Sequence, residues 1–112
     1  MAQGTHSYAD DRRNDEVLIW VNGELLPRAQ AVVSVFDAGF VLGDGVWEGI
    51  RVHQGQPVFI EQHLDRLWQG ATALMLDIGL TRDEVTAVLY ETLAANKMSD
   101  GVHIRLMVTR GP

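Results

Sequence analysis

Two kinds of hydrophobic periodicity alternate along this 112-residue chain, and their order leaves few possible folds. Apolar residues recur with a period of two over residues 46–53 and again over 103–109, as in half-buried strands. Between them, residues 61–76 follow a helical stripe, and Thr81 with Glu84 forms a capping box that opens a second helix. The stripe consists of Leu64, Leu67, Trp68, Ala71 and Met75. This order predicts an α+β fold, a mainly antiparallel sheet with two helices packed on one face.

The folded region is predicted to begin at residue 17. Residues 1–16 are polar and lack periodicity, which predicts a disordered tail. A β-branched and aromatic run over 17–21 is followed by Asn22-Gly23, a strong hairpin signal because both turn positions favour positive φ. Pro27 ends the return strand. Residues 17–112 are therefore expected to form one α+β domain.

A second hairpin and a short extended piece are predicted before the helices. Residues 31–36 favour an extended conformation, and Asp37 favours a turn because its side chain can accept from the backbone two residues on. Residues 46–53 and 57–60 are predicted to pair through a turn around Gly55.

The charge balance argues against two classes of binding partner. Nine Lys and Arg against fifteen Asp and Glu give a net charge of −6, which argues against a nucleic-acid partner and against an anionic membrane surface. No apolar run approaches the roughly 20 residues of a membrane span. The absence of cysteine excludes disulfides and thiolate zinc sites and favours an intracellular, cytoplasmic location. The four histidines lack a metal-ligand spacing, so no metal site is predicted.

Candidate anion-binding residues lie on the less apolar face of both strands. Trp47 and Arg51 share one face of the first strand, and His103 and Arg105 share one face of the last. Neighbouring strands would join them into a cationic surface suited to a carboxylate or phosphate. The same pattern is typical of a sheet face that is simply solvated. Arg66, on the first helix, is open to the same two interpretations.

Two further charged residues, Glu48 and Lys97, are predicted to lie in different environments. Glu48 falls on the apolar face of its strand and needs a partner if it is buried, but the sequence names none. Lys97, the single lysine, lies at the predicted end of the second helix, where a cation suits the helix dipole. We interpret Lys97 as structural.

The order of short motifs resembles a known enzyme family. The motifs are Trp20-Val21-Asn22-Gly23, Val33-Ser34-Val35-Phe36-Asp37-Ala38-Gly39-Phe40, Leu42-Gly43-Asp44-Gly45-Val46-Trp47-Glu48-Gly49-Ile50-Arg51, His63-Leu64-Asp65-Arg66-Leu67 and Val102-His103-Ile104-Arg105-Leu106 with Val108-Thr109-Arg110-Gly111. In that order they resemble the class IV (fold-type IV) pyridoxal-phosphate aminotransferases, which include branched-chain and D-amino-acid aminotransferases and the related aminodeoxychorismate lyase. The resemblance covers roughly residues 17–112.

The resemblance implies a role for each candidate residue. Arg66 matches the arginine that binds the 5′-phosphate of the cofactor, pyridoxal 5′-phosphate (PLP). Trp47 matches an aromatic position that lines the substrate pocket. Arg51 and Arg105 match pocket arginines of branched-chain-type members, and the counterpart of Arg105 helps to receive a substrate carboxylate. His103 occupies a position associated with the α-carboxylate.

The chain departs from the branched-chain pattern at two positions. Leu42 and His103 stand where many branched-chain enzymes have tyrosine. The closing Thr109-Arg110-Gly111 is closer to D-amino-acid-type members, but Arg51 is not typical of those. Both substrate types remain open.

The resemblance also implies that catalysis needs more than this chain. The family's Schiff-base lysine lies in a C-terminal domain outside these residues, and we expect Gly111-Pro112 to lead into it. The expected function is PLP-dependent transamination between an amino acid and a 2-oxo acid by a full-length homodimer in amino-acid metabolism, with the fragment alone inactive. The alternatives are a lyase acting like aminodeoxychorismate lyase, or a truncated, non-catalytic anion-binding or interaction domain.

Overall fold

The computed structural model describes residues 11–112 and, within that range, two antiparallel sheets and three α-helices. The first sheet pairs β1 with β2, and the second has the order β4-β3-β5. The elements are β1 (Leu18–Val21), β2 (Glu24–Pro27), α1 (Ala38–Leu42), β3 (Gly45–His53), β4 (Gln56–Pro57), α2 (Ile60–Ala73), α3 (Arg82–Ala95) and β5 (Val102–Thr109). The predicted α+β class is confirmed, with the strands divided between two sheets.

The β1–β2 hairpin forms around the predicted turn. Asn22 and Gly23 have φ of 51° and 98°, the positive values that this turn requires. The hairpin is held to the end of α3 by Asn96, whose side chain accepts from the Leu18 amide at 2.7 Å and donates to the Leu18 carbonyl at 2.9 Å. The hairpin therefore packs against α3 and pairs with no strand of the β4-β3-β5 sheet.

The core lies between the three-stranded sheet and the two long helices. Alternate residues of β3 turn towards the helices and are buried, as the period of two predicts. The capping box at Thr81 and Glu84 is present and fixes the start of α3. The buried apolar residues are Ile50, Val52, Leu64, Leu67, Ala71, Val85, Leu89 and Leu93.

Strand β3 carries a long pairing on one side and a short one on the other. It pairs with β5 along its length, from Gly45 opposite Thr109 to Val52 opposite Val102. Strand β4 pairs only with Val52 and His53. The other edge of β3 over residues 45–50 therefore has no strand partner within residues 11–112.

The start of the described range is more ordered than the sequence predicts. Of the predicted tail 1–16, residues 1–10 lie outside the described range. Residues 11–16 are structured instead, since Arg12–Asn14 form a 3-10 turn capped by the Asp11 side chain. Arg13 fixes this turn by donating to the carbonyls of Asp100 at 2.9 Å and Gly101 at 3.0 Å. Such long-range contacts leave no trace in local composition.

Asp37 accepts from the Gly39 amide at 2.8 Å, two residues on as predicted, and so caps the short helix α1. Other local predictions are wrong. Residues 31–36 form no strand, and the predicted return strand 57–60 is only Gln56–Pro57, because α2 begins at Ile60. Helix α2 ends at Ala73, so Met75 is 88% exposed instead of part of the buried stripe. Met75 adopts a left-handed backbone with φ of 54°, which turns the chain away from the helix axis.

No helix among the described residues is long and apolar enough to cross a membrane.

Candidate functional site

Strands β3 and β5 present four of the predicted site residues on the face turned away from the helices. Trp47 and Arg51 of β3 are exposed, as are His103 and Arg105 of β5. Arg51 lies directly opposite His103 in the antiparallel register. The structure therefore brings these four side chains to one surface, which we call the outer face.

At Gly49, which lies opposite Arg105, the outer face carries no side chain. A Cβ atom at Gly49 would lie 2.8 Å from Nε2 of His103, closer than side chains tolerate. The guanidinium carbon of Arg105 lies 4.2 Å from the centroid of the Trp47 ring, within range of a cation–π contact. The absence of a side chain at Gly49 therefore leaves space for the His103 ring. The Trp47 ring contacts the Arg105 guanidinium.

Arg66 lies on the other side of β3, where α2 packs. Its guanidinium donates hydrogen bonds to the buried Glu48 carboxylate. Nε lies 2.9 Å from Oε2, and Nη2 lies 2.7 Å from Oε1. Helix α2 supplies Arg66, and β3 supplies Glu48 on its helix-facing side. The structure therefore does not bring Arg66 together with the four residues of the outer face.

Glu48 now has the partners that the sequence could not name. Its side chain is 5% exposed and accepts from both Arg66 and the Nδ1 atom of His63 at 2.6 Å. The Arg66 hydrogen bonds, against the opposing effect of burial and with help from His63, hold the Glu48 pKa below its ordinary value. An ionised carboxylate only accepts hydrogen bonds, so His63 carries a proton on Nδ1. Residues 63 and 66 lie on one side of α2, a spacing visible in the sequence.

Lowering the pH should therefore reduce the free energy of unfolding, because Glu48 becomes protonated. Because its pKa is lower in the folded than in the unfolded chain, its stabilising contribution is complete above the unfolded value of about 4.3 and is lost as the pH falls through the folded value. Urea unfolding from pH 7 to pH 3 should show this loss in the wild type and a flatter acid limb in Glu48→Gln. The matched control is Glu91→Gln, at an exposed position of α3. Identical acid limbs for wild type and Glu48→Gln would contradict the assignment.

Arg110 forms a clasp that the sequence analysis did not identify. Its Nε and Nη2 atoms donate to the Asp44 carboxylate at 2.6 and 3.2 Å, and Nη2 also donates to the Leu74 carbonyl at 2.7 Å. The clasp connects the end of β5 with the α1–β3 turn and the end of α2. Asp44 immediately precedes β3, so the clasp lies next to the start of that strand.

The structure also bears on the histidines, the acidic residues and the single lysine of the described part of the chain. Residues 11–112 contain no cluster of three or more His, Cys, Asp or Glu side chains that could hold a metal ion. Lys97 is exposed just beyond α3, in a left-handed conformation with φ of 53°. It lies neither on the outer face nor beside Arg66.

Comparison with known proteins places these residues in a wider context. Residues 45–112 match the family model "Amino-transferase class IV". The chain is 48% identical over 98 residues to branched-chain-amino-acid aminotransferase-like protein 1 of Arabidopsis thaliana, covering 88% of this chain and 18% of the relative. It is 36% identical over 93 residues to the D-alanine aminotransferase of Staphylococcus haemolyticus, covering 83% and 33%.

A solved structure gives the same result for the fold. The T.th. branched-chain amino acid aminotransferase complexed with N-(5′-phosphopyridoxyl)-L-glutamate superposes with a TM-score of 0.77 at 27% identity, covering 86% of this chain and 33% of that one. The chain thus spans a third or less of the length of each of these three proteins.

Proposed function

Because this chain belongs to the class IV aminotransferase family, we propose that it forms the phosphate-anchoring and substrate-binding part of a PLP-dependent aminotransferase. The reaction transfers an amino group between an amino acid and a 2-oxo acid, of the branched-chain or the D-amino-acid type. The observation that carries the proposal is the Arg66 guanidinium, which Glu48 fixes in place while most of it stays exposed. The substrate-binding residues are Trp47, Arg51, His103 and Arg105.

The hydrogen-bonding inventory of Arg66 fits a phosphate. Glu48 takes the Nε hydrogen and one Nη2 hydrogen. Both Nη1 hydrogens and the second Nη2 hydrogen remain, and they form a second fork that points away from Glu48. A guanidinium fork matches two oxygens of a phosphate, and the buried carboxylate behind it restricts its rotamers. The Arg66 side chain is 71% exposed, so an anion can reach it.

The outer face fits the carboxylate of an amino acid or 2-oxo acid. Within residues 11–112, Arg51 and Arg105 form no ion pair with a carboxylate, whereas Arg66, Arg82 and Arg110 each do. Two unneutralised guanidinium groups on one surface favour an anionic ligand. Trp47 and Met107, which lie opposite each other, add an apolar margin beside them.

The catalytic lysine must come from residues outside this chain. When bound, PLP supplies the electron sink for amino-group transfer and needs a lysine that holds it. Lys97, the only lysine here, lies away from both Arg66 and the outer face. We therefore assign residues 17–112 to the N-terminal domain of a larger protein. The relatives, of which the chain spans a third or less, support this assignment.

The assembly and location of the complete protein are also proposals. We expect a homodimer, because symmetric pairs are the commonest assembly of a single chain type. A role in amino-acid metabolism in the cytoplasm follows from the proposed substrates and agrees with a sequence free of cysteine.

The test compares the complete protein with the 112-residue chain. We expect the complete protein to gain visible absorbance with PLP and to change its spectrum when L-leucine or D-alanine is added. The 112-residue chain with excess PLP should show no turnover of either donor. Borohydride trapping of the cofactor on Lys97, together with turnover by the 112-residue chain, would refute the division of roles. A complete protein without any PLP-dependent spectral change would refute the enzyme assignment.

A further inference from the structure

The contact between Arg105 and Trp47 joins two strands diagonally across the outer face. Trp47 lies opposite Met107 in the register, and Arg105 lies opposite Gly49, so the arginine reaches across to the neighbouring residue pair. Its guanidinium carbon ends 4.2 Å from the ring centroid. A diagonal neighbour is within reach of a long side chain.

We propose that Trp47 is a positioning residue that holds the Arg105 guanidinium in place for a carboxylate ligand. This inference rests on the proposed function, in which Arg105 receives the carboxylate of the substrate. The indole ring attracts the guanidinium through its face and is not a conventional hydrogen-bond acceptor. The contact therefore holds the guanidinium without pairing its N–H groups with a carboxylate.

The surroundings of the contact leave Arg105 without an acidic partner. Gly49 lies opposite Arg105, and the His103 ring occupies the space above Gly49. Asp100, the carboxylate at the far end of the face, lies beside His53, with 3.4 Å between its Oδ1 and the Nδ1 of that histidine. No carboxylate within residues 11–112 forms an ion pair with Arg105, so a carboxylate ligand meets no competitor there.

Holding Arg105 in advance should strengthen binding by a modest factor. A free arginine loses rotamer freedom when it binds a ligand, and a side chain that is already stacked loses less. An exposed cation–π contact of about 0.5–1 kcal/mol corresponds to roughly a two- to fivefold change in affinity. Trp47→Leu should weaken carboxylate binding by that factor, whereas Trp47→Phe, which retains an aromatic face, should retain most of the affinity.

The test uses 15N-labelled 112-residue chain and 4-methylvalerate as the carboxylate probe. In the free wild type, the ring current of Trp47 should shift the Arg105 Nε–H resonance, and Trp47→Leu should abolish this shift while Met107→Leu on the same face retains it. Titration with the probe should move the same resonance, with the affinities ordered wild type, Trp47→Phe, Trp47→Leu. Arg105→Ala should abolish the binding measured at this face.

The outcomes separate this inference from the proposed function. Equal affinities for wild type and Trp47→Leu, or no ring-current shift in the free chain, would overturn the positioning role and leave the proposed aminotransferase untouched. Failure of the chain to bind the probe at all would also overturn it, because binding here needs no cofactor. The enzyme assignment is tested independently by the PLP-dependent spectrum of the complete protein.

Discussion

Replacing Arg66 by alanine is expected to lower the affinity of the complete protein for PLP by roughly 10- to 150-fold. The loss corresponds to about 1.5–3 kcal/mol, the usual contribution of hydrogen bonds to a charged group. The second fork of Arg66 is the anchor proposed for the phosphate, and alanine removes both the charge and the fork. Arg66→Lys should give an intermediate loss, because the ammonium retains the charge but offers no planar pair of donors.

The measurement is a PLP titration of the apo form of the complete protein, followed by absorbance. Arg82→Ala is the matched control. Arg82 also lies on a helix, and its substitution likewise removes ion pairs, here those with Glu61 and Asp65. It should bind PLP as the wild type does. An Arg66→Ala variant with wild-type affinity would remove Arg66 from the cofactor site.

The largest loss of stability is expected at Ile50. Its side chain is fully buried at the centre of β3, facing Ile104 across the strand pair. Truncation to alanine removes apolar burial and leaves a cavity, which typically costs about 2–5 kcal/mol. A domain of this size is stable by only about 5–15 kcal/mol, so a large part of the folding free energy depends on this side chain.

Guanidinium unfolding of the 112-residue chain tests this expectation. Ile50→Ala should lower the midpoint strongly with an unchanged slope. Val33→Ala, at a position that is 68% exposed, should stay within about 0.5 kcal/mol of the wild type. Equal losses in the two variants would mean that β3 does not hold the core in solution.

The fold follows from the sequence where a pattern is local. The period of two in β3 and β5, the Asn22-Gly23 turn and the capping box of α3 depend on neighbouring residues, and all are confirmed. The exposed run 31–36 has the composition of a strand but lacks a partner strand, and β-propensity without pairing does not form a sheet. Local composition cannot supply such a partner.

The candidate site, like the fold, is predicted from the sequence only where the pattern is local. Periodicity places Trp47 and Arg105 on one face of their strands, but the stack between them depends on a register set by residues nearly 60 positions apart. The pairing of Glu48 with Arg66 likewise depends on how α2 crosses β3. The sequence therefore predicts which side chains share a face, while the contacts between them come from tertiary structure.

The incomplete pairing of β3 has a consequence for the behaviour of the chain in solution. Backbone donors and acceptors along an unpaired edge act as a template for another strand. Within residues 11–112, strand β5 is the last in its sheet and adds a second such edge, and neither edge carries the lysine or proline that commonly blocks edge-to-edge growth. Intermolecular β-pairing is thus an aggregation hazard of the 112-residue chain, and covering these edges would protect against it.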